Sequence, residues 1–263
     1  TAMAARLTRA KQKMTAANIA FKLPEPEDLE DRTDAVLRVV YLIFSEGCHA
    51  SNGELSREAL VQEAIRIGRI LCSLLRENSE AKGLLALMLL SDSRRRARSG
   101  PDGKFVPLEF QNRATWDPAR IEEGVALTKD ALKNASARRY ALEAAISAVH
   151  AQASDFESTD WPQIVALYDF LYQREPNPVL RINQAVALSY VHGPQAGLAL
   201  LASVEAESKL QNYQPFHACR ADLFARLGKR EEAAEAYRRA IAYSSAPETV
   251  DFLEERLSAL GDT

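Results

Sequence analysis

Apolar residues recur three and four positions apart along most of this chain, the period of helices that bury one face. Over 27–45, Leu29, Thr33, Val36, Val40 and Phe44 share one stripe, Glu30, Asp31, Arg32 and Arg38 fall off it, and Gly47 offers a stop. The same period predicts helices over 56–75, 79–97, 117–133, 137–153, 161–174, 178–191, 194–205, 213–227, 229–243 and 248–260. No segment alternates in the manner of a strand. Asp117-Pro118 and Asp160-Trp161-Pro162 set a carboxylate beside a first-turn proline, where amides lack intrahelical partners, so both read as helix starts.

Two interruptions organise the chain. Residues 18–26, with Pro24 and Pro26, read as an extended linker between a short N-terminal helix over 1–17 and a body from 27 to 263. Residues 98–116 open on the turn signal Gly100-Pro101-Asp102-Gly103, close at Trp116, and form the long non-helical stretch of the body; such loops carry function more often than short ones. In the last third, the helix pairs 178–205 and 213–243 have turn glycines, Gly193 and Gly228, 35 positions apart. That spacing is close to the ~34-residue tetratricopeptide period. Ala221, Phe224, Gly228, Ala233, Tyr237 and Ala240 fall at offsets resembling that repeat, with small residues where helices approach and aromatics filling gaps. The expected fold class is all-α: a tetratricopeptide-like antiparallel helix-pair array, an α-solenoid whose concave face suits peptides or helices.

Composition narrows the function. A net charge of -3 gives the body no general attraction for polyanions, and 47% apolar with 26% charged residues is the balance of a folded, water-soluble chain. Cys48, Cys72 and Cys219 are odd in number, far apart and in no CxxC pair, as for reduced cytosolic thiols, so no disulfide is expected. The longest apolar run, Leu84 to Leu90, is far short of the roughly 20 positions that span a bilayer. No signal peptide opens the chain, so a cytoplasmic protein without membrane contact is expected.

Catalytic material is sparse. His49 follows Cys48 directly, and adjacent side chains rarely form a working pair. His217 and Cys219 sit about 200° apart on a helix and cannot share a metal. His150 and His192 fall near helix C-termini, where an imidazole meets free carbonyls. No zinc, phosphate-loop or nucleophile-elbow motif is present. A binding protein without a catalytic residue, metal or cofactor is therefore expected, an unconventional enzyme using the loop Glu109 to Asp117 being the minority reading. Arg94, Arg95 and Arg96, with Arg98, either complement the dipole of a helix end or meet an acidic partner. With Gln111, Arg113 and Trp116 of the adjoining loop they are the candidate partner-binding residues, although Trp116 reads first as a core anchor. Asn183, on a stripe with Val179 and Val186, reads as a buried amide. Arg6, Arg9, Lys11 and Lys13 make the N-terminal helix basic, and Arg6, Arg9 and Lys13 are candidate DNA contacts.

These pieces combine into a resemblance. Thr1-Ala2-Met3-Ala4-Ala5-Arg6-Leu7-Thr8-Arg9-Ala10-Lys11 resembles the end of the region-four recognition helix of extracytoplasmic-function (ECF) RNA polymerase sigma factors. The blocks Tyr41 to Gly47, Gly83 to Asp92, Thr159-Asp160-Trp161 and His192-Gly193-Pro194 are similar, in order and spacing, to those of a tetratricopeptide-type C-terminal extension in one sigma-factor subfamily. Ser45, Cys48, Ser91, Phe110 and Asn112 depart from that pattern and reduce acidity around the long loop. The resemblance implies a bacterial, DNA-binding parent protein acting in transcription initiation. Its upstream regions would bind core RNA polymerase and promoter DNA, and residues 27–263 would regulate, contacting the sigma regions or a protein partner. The alternative is a free-standing helical scaffold that binds a peptide or protein and has no link to transcription.

Overall fold

The structure, a computed structural model, describes residues 8–9, 12–17, 25–49, 54–100, 104–133 and 137–261. Arg6, Lys11, residues 18–24 and most of the Gly100–Gly103 turn lie outside the described residues. The described part is all-helical: α1 Leu29–His49, α2 Glu54–Leu74, α3 Ser79–Ser93, α4 Pro118–Leu132, α5 Arg139–Gln152, α6 Trp161–Arg174, α7 Pro178–His192, α8 Pro194–Ala202, α9 Gln214–Arg226, α10 Arg230–Ala242 and α11 Pro247–Ala259. Its β pairing is an isolated bridge between Ser99 and Phe105. Backbone contacts divide the chain into two units, Thr1–Val39 and Val40–Thr263, and the second holds every helix from α2 to α11.

Helix starts follow the local chemistry. Pro118, Pro162, Pro178, Pro194, Pro215 and Pro247 each occupy a first turn, where a missing N–H costs nothing. Asp117 accepts from the amides of Ala119 and Arg120, Asp160 from Gln163, Asn177 from Val179 and Asn78 from Ala81, each satisfying amides the helix leaves open. Gly193 and Gly228 sit at φ 85° and 71°, so both expected turn glycines hold left-handed backbone that side chains resist.

Each helix packs on its successor through α2 to α11, more lightly where α5 meets α6 and α8 meets α9, and α9 also touches α7. Helix α3 is central: it touches α2, α4 and α5, and nearly every residue from Ser79 to Ser93 is buried. A helix apolar all round has no face for water, which is why Leu84 to Leu90 runs without a polar break. Its two buried carboxylates sit at its ends, Asp92 held by Arg95 and Arg120 and Glu80 by backbone amides of 138–141. Farther along, Ile182, Leu201, Leu210, Phe216 and Leu223 form a core beneath α7, α8 and α9, and Ala221, Tyr237, Ala240 and Leu253 continue it through α10 and α11.

Several boundaries and faces differ from the sequence reading. Gly47 lies buried inside α1, which runs to His49, and the buried stripe of that helix is Leu37, Val40 and Phe44, with Leu29 and Val36 exposed. Helix α3 stops at Ser93, and residues 95–97 form a separate 3-10 turn. Helix α8 ends at Ala202, three residues before the expected end.

Candidate functional site

A groove of about 360 Å³ opens among α6, α7, α9 and α11. From α7 it takes Asn183, Val186, Ala187 and Tyr190, spaced as one helical face. Trp161 and Tyr190 stack with centroids 4.4 Å apart, and Phe156 meets both rings edge-on at 5.0 and 5.1 Å. Such offset and edge-on pairs add to simple burial and fix the wall in shape. Arg226 lies over the Tyr190 ring at 4.5 Å and donates to the Ser189 hydroxyl at 2.7 Å, bracing that ring from behind. On the opposite side, Arg256 donates to Asp222 at 3.2 Å, a charged pair at the groove wall.

Asn183 was expected to be a buried amide. It is exposed and lines the groove, hydrogen-bonded to the Tyr168 hydroxyl, whose pKa burial raises above the usual phenol value. Helical spacing placed it correctly beside Val186, but the face they share looks into an open groove, and Val186 is itself 37% exposed.

The loop 98–116 forms one edge of this groove. Arg98 accepts at its carbonyl from the Val106 amide at 2.8 Å, and Gly100 donates to the Lys104 carbonyl at 2.8 Å, folding the loop back on itself. Lys104 pairs with Glu255 and Phe105 meets Phe252 edge-on at 5.8 Å, tying the loop to α11. Pro107, Leu108 and Glu109 then line the groove.

The six candidate partner-binding residues do not share one surface. Arg95 is committed to Asp92 and to Glu58 at 2.9 Å, while Arg96 is exposed. Gln111 is buried and donates to the Val106 carbonyl at 3.0 Å, with its Oε1 unpartnered. Arg113 donates to the carbonyls of His150 and Ala153, closing the C-terminal end of α5, and lies 4.8 Å over the Trp116 ring. Trp116 is 6% exposed, as a core anchor should be, yet its Nε1 has no partner. Arg94 is partly buried beside them. The structure thus sets Arg113 over Trp116 with Arg94 close enough to feel the charge of Arg113, and it sets Arg95 and Arg96 apart. Of the candidate DNA contacts, Arg9 and Lys13 are exposed, each in a helical segment of the first unit.

His150 lies in the last turn of α5, as its position in the sequence indicated, but its ring meets no carbonyl. Its ring lines the groove, edge-on to Trp161 at 5.3 Å, with Nδ1 buried and unpartnered rather than turned to a carbonyl. Burial, then the charges of Arg94 and Arg113, push its pKa down to about 4. The folded protein therefore holds a neutral ring where the unfolded chain takes up a proton near pH ~6.5. Stability from this ring is complete above the unfolded value and is lost as pH falls toward the folded one. Between about pH 7 and about pH 5 the urea midpoint of the wild type should fall more than that of His150→Gln. Equal falls in both proteins would remove His150 from the account.

Cys72 and Cys219 are not activated thiols. Burial pushes Cys72 up to about 11 and Cys219 up to about 12, and their Sγ atoms lie at the carbonyls of Ala81 and Ile182. His217 is buried with Nε2 2.8 Å from the Gln211 carbonyl, away from Cys219. Among the described residues no helix is long and apolar enough to cross a membrane.

Comparison with known proteins adds relatives without a recorded activity. Residues 32–132 match a family of unknown function, DUF6596. An uncharacterized protein of Rhizobium meliloti (strain 1021) is 39% identical over 260 residues, which is 98% of this chain and 61% of that protein. No solved structure matches. The chain thus spans about three fifths of the length of the curated relative to which it is similar.

Proposed function

We propose that this chain is the C-terminal interaction part of a longer bacterial protein, an ECF sigma factor, and that it binds rather than catalyses. In this reading α6 to α11 form a tetratricopeptide-like array whose groove holds an apolar segment, from the sigma regions of the same polypeptide or from a protein partner. The upstream regions engage core RNA polymerase and promoter DNA, and the protein works in the cytoplasm. The observation that carries the binding reading is the groove itself: a stacked aromatic wall beside an exposed amide and an exposed valine, on helices that pack against one another. The longer relative leaves room for the upstream part, and the assignment to transcription rests on the sequence blocks that resemble those of sigma factors.

Val186→Glu puts a charge on the groove face without removing a buried contact, because Val186 is exposed. In the full-length protein this variant should change promoter-dependent transcription by core polymerase about tenfold, with folding unchanged. Output equal to wild type would defeat the groove's role. A full-length protein that does not bind core polymerase would defeat the sigma assignment and leave a scaffold.

A further inference from the structure

Arg94 directly follows α3, where the 95–97 turn meets the 113–115 turn and the Asp117 amide donates to the Ser93 carbonyl at 2.9 Å. The arginines around it are satisfied: Arg95 by carboxylates, Arg98 by the Ser91 carbonyl at 2.9 Å and Arg113 by the carbonyls closing α5. Among the described residues Arg94 has neither an acceptor nor a carboxylate. Burial, then the charge of Arg98 and with it that of Arg113, push its pKa down to about 10, opposed by Cys48. Arg94 is partly buried, and a guanidinium that loses part of its hydration without a counter-charge is unfavourable, a cost that a bound anion offsets.

Two more polar groups in this corner lack partners. The Trp116 Nε1–H is buried beneath Arg113, and His150 Nδ1 is buried within the field of both Arg94 and Arg113. The carboxylates in reach, Asp155 and Glu157, act on Arg113. The corner therefore gathers positive charge and an unused N–H donor.

We propose that Arg94 and the Trp116 indole N–H, with the charge of Arg113 beside them, form a binding site for one small oxyanion, a carboxylate or a phosphate, with Arg94 as its main ligand. A planar guanidinium fork matches two oxygens of either group, and the indole N–H supplies a third donor. The site does not depend on the groove reading, since none of these three side chains lines the groove.

Inorganic phosphate and acetate, titrated separately into the protein in a chloride buffer, distinguish the two oxyanions. The Trp116 indole N–H resonance and the unfolding temperature report binding. At least one anion should move the resonance saturably and raise the unfolding temperature. Arg94→Met should weaken that anion about tenfold or more, and should raise the unfolding temperature of the anion-free protein by removing an uncompensated charge. Arg96→Gln, at the exposed neighbour, should bind as wild type does. Arg94→Gln, read by the same resonance, serves if the methionine variant does not fold. A Trp116 resonance indifferent to both anions, or variants at 94 that bind as tightly as wild type, would overturn the site.

Discussion

Replacing Glu80 with alanine is expected to cost about 2–4 kcal/mol of stability, because three backbone amides, two of them buried, lose a charged acceptor at once. Glu80 lies in the first turn of α3, is 6% exposed, and sends its carboxylate across to the start of α5. Its Oε1 accepts from the amides of Arg138 at 2.8 Å and Ala141 at 3.4 Å, and its Oε2 from Tyr140 at 2.9 Å. Arg138, at the cap position of α5, makes no side-chain cap bond, so a residue about sixty positions away performs the capping. The carboxylate also faces the positive end of that helix, which favours its charge. Glu80→Gln keeps an acceptor oxygen and should recover part of the loss. The check is the urea midpoint of both variants with unchanged slope. A Glu80→Ala protein within about 0.5 kcal/mol of wild type, the range of an ordinary surface change, would mean that the amides are satisfied otherwise.

The same residue illustrates which parts of the fold were legible in the sequence. Helix number and type followed from periodicity, and many starts from Asp or Asn beside proline, since those signals act within four residues. Gly193 and Gly228 were legible because a left-handed turn leaves few residue choices. Contacts between distant segments left no such trace: Glu80 with 138–141, and Lys104 with Glu255 across 151 positions, join residues whose types are ordinary at their own positions. Gly47 misled because glycine both ends helices and admits close packing inside them, and here it is buried within α1.

For the candidate site, the loop 98–116 was marked by its composition, and part of it does edge the groove. The arginine run was read as one feature, yet successive residues leave a helix end in different directions, so Arg94, Arg95 and Arg96 acquire three environments. Asn183 and His150 were assigned to burial or to capping because stripe position alone does not separate a face that meets a helix from one that meets a groove. The aromatic wall gave a partial signal, in that Trp161, Tyr168 and Tyr190 all fall on core-facing stripes. Whether such a stripe is covered depends on helices that arrive later in the chain.

Among the described glycines that a Cβ would crowd, Gly83→Ala should be the most damaging, lowering stability by about 3 kcal/mol or more. An added Cβ at Gly83 would stand 2.4 Å from the Ala141 amide nitrogen, 2.6 Å from its Cα and 2.7 Å from the Tyr140 carbonyl carbon. All three are backbone atoms in the first turn of α5, so no side-chain rotation relieves the clash. Alanine's better helix propensity offers only about 1 kcal/mol in return. Relief requires α5 to move away from α3, which would stretch the Glu80 hydrogen bonds one turn earlier, so the two sites should be coupled rather than additive. Gly124→Ala is the informative control: its Cβ would meet Leu90 Cγ at 2.7 Å, a side chain that can shift, and the loss should be smaller. Thermal unfolding of both variants, and of Gly83→Ala combined with Glu80→Gln, tests the ranking and the coupling. Equal losses at 83 and 124, or strict additivity of the pair, would show that α3 and α5 are not held as close as these distances place them.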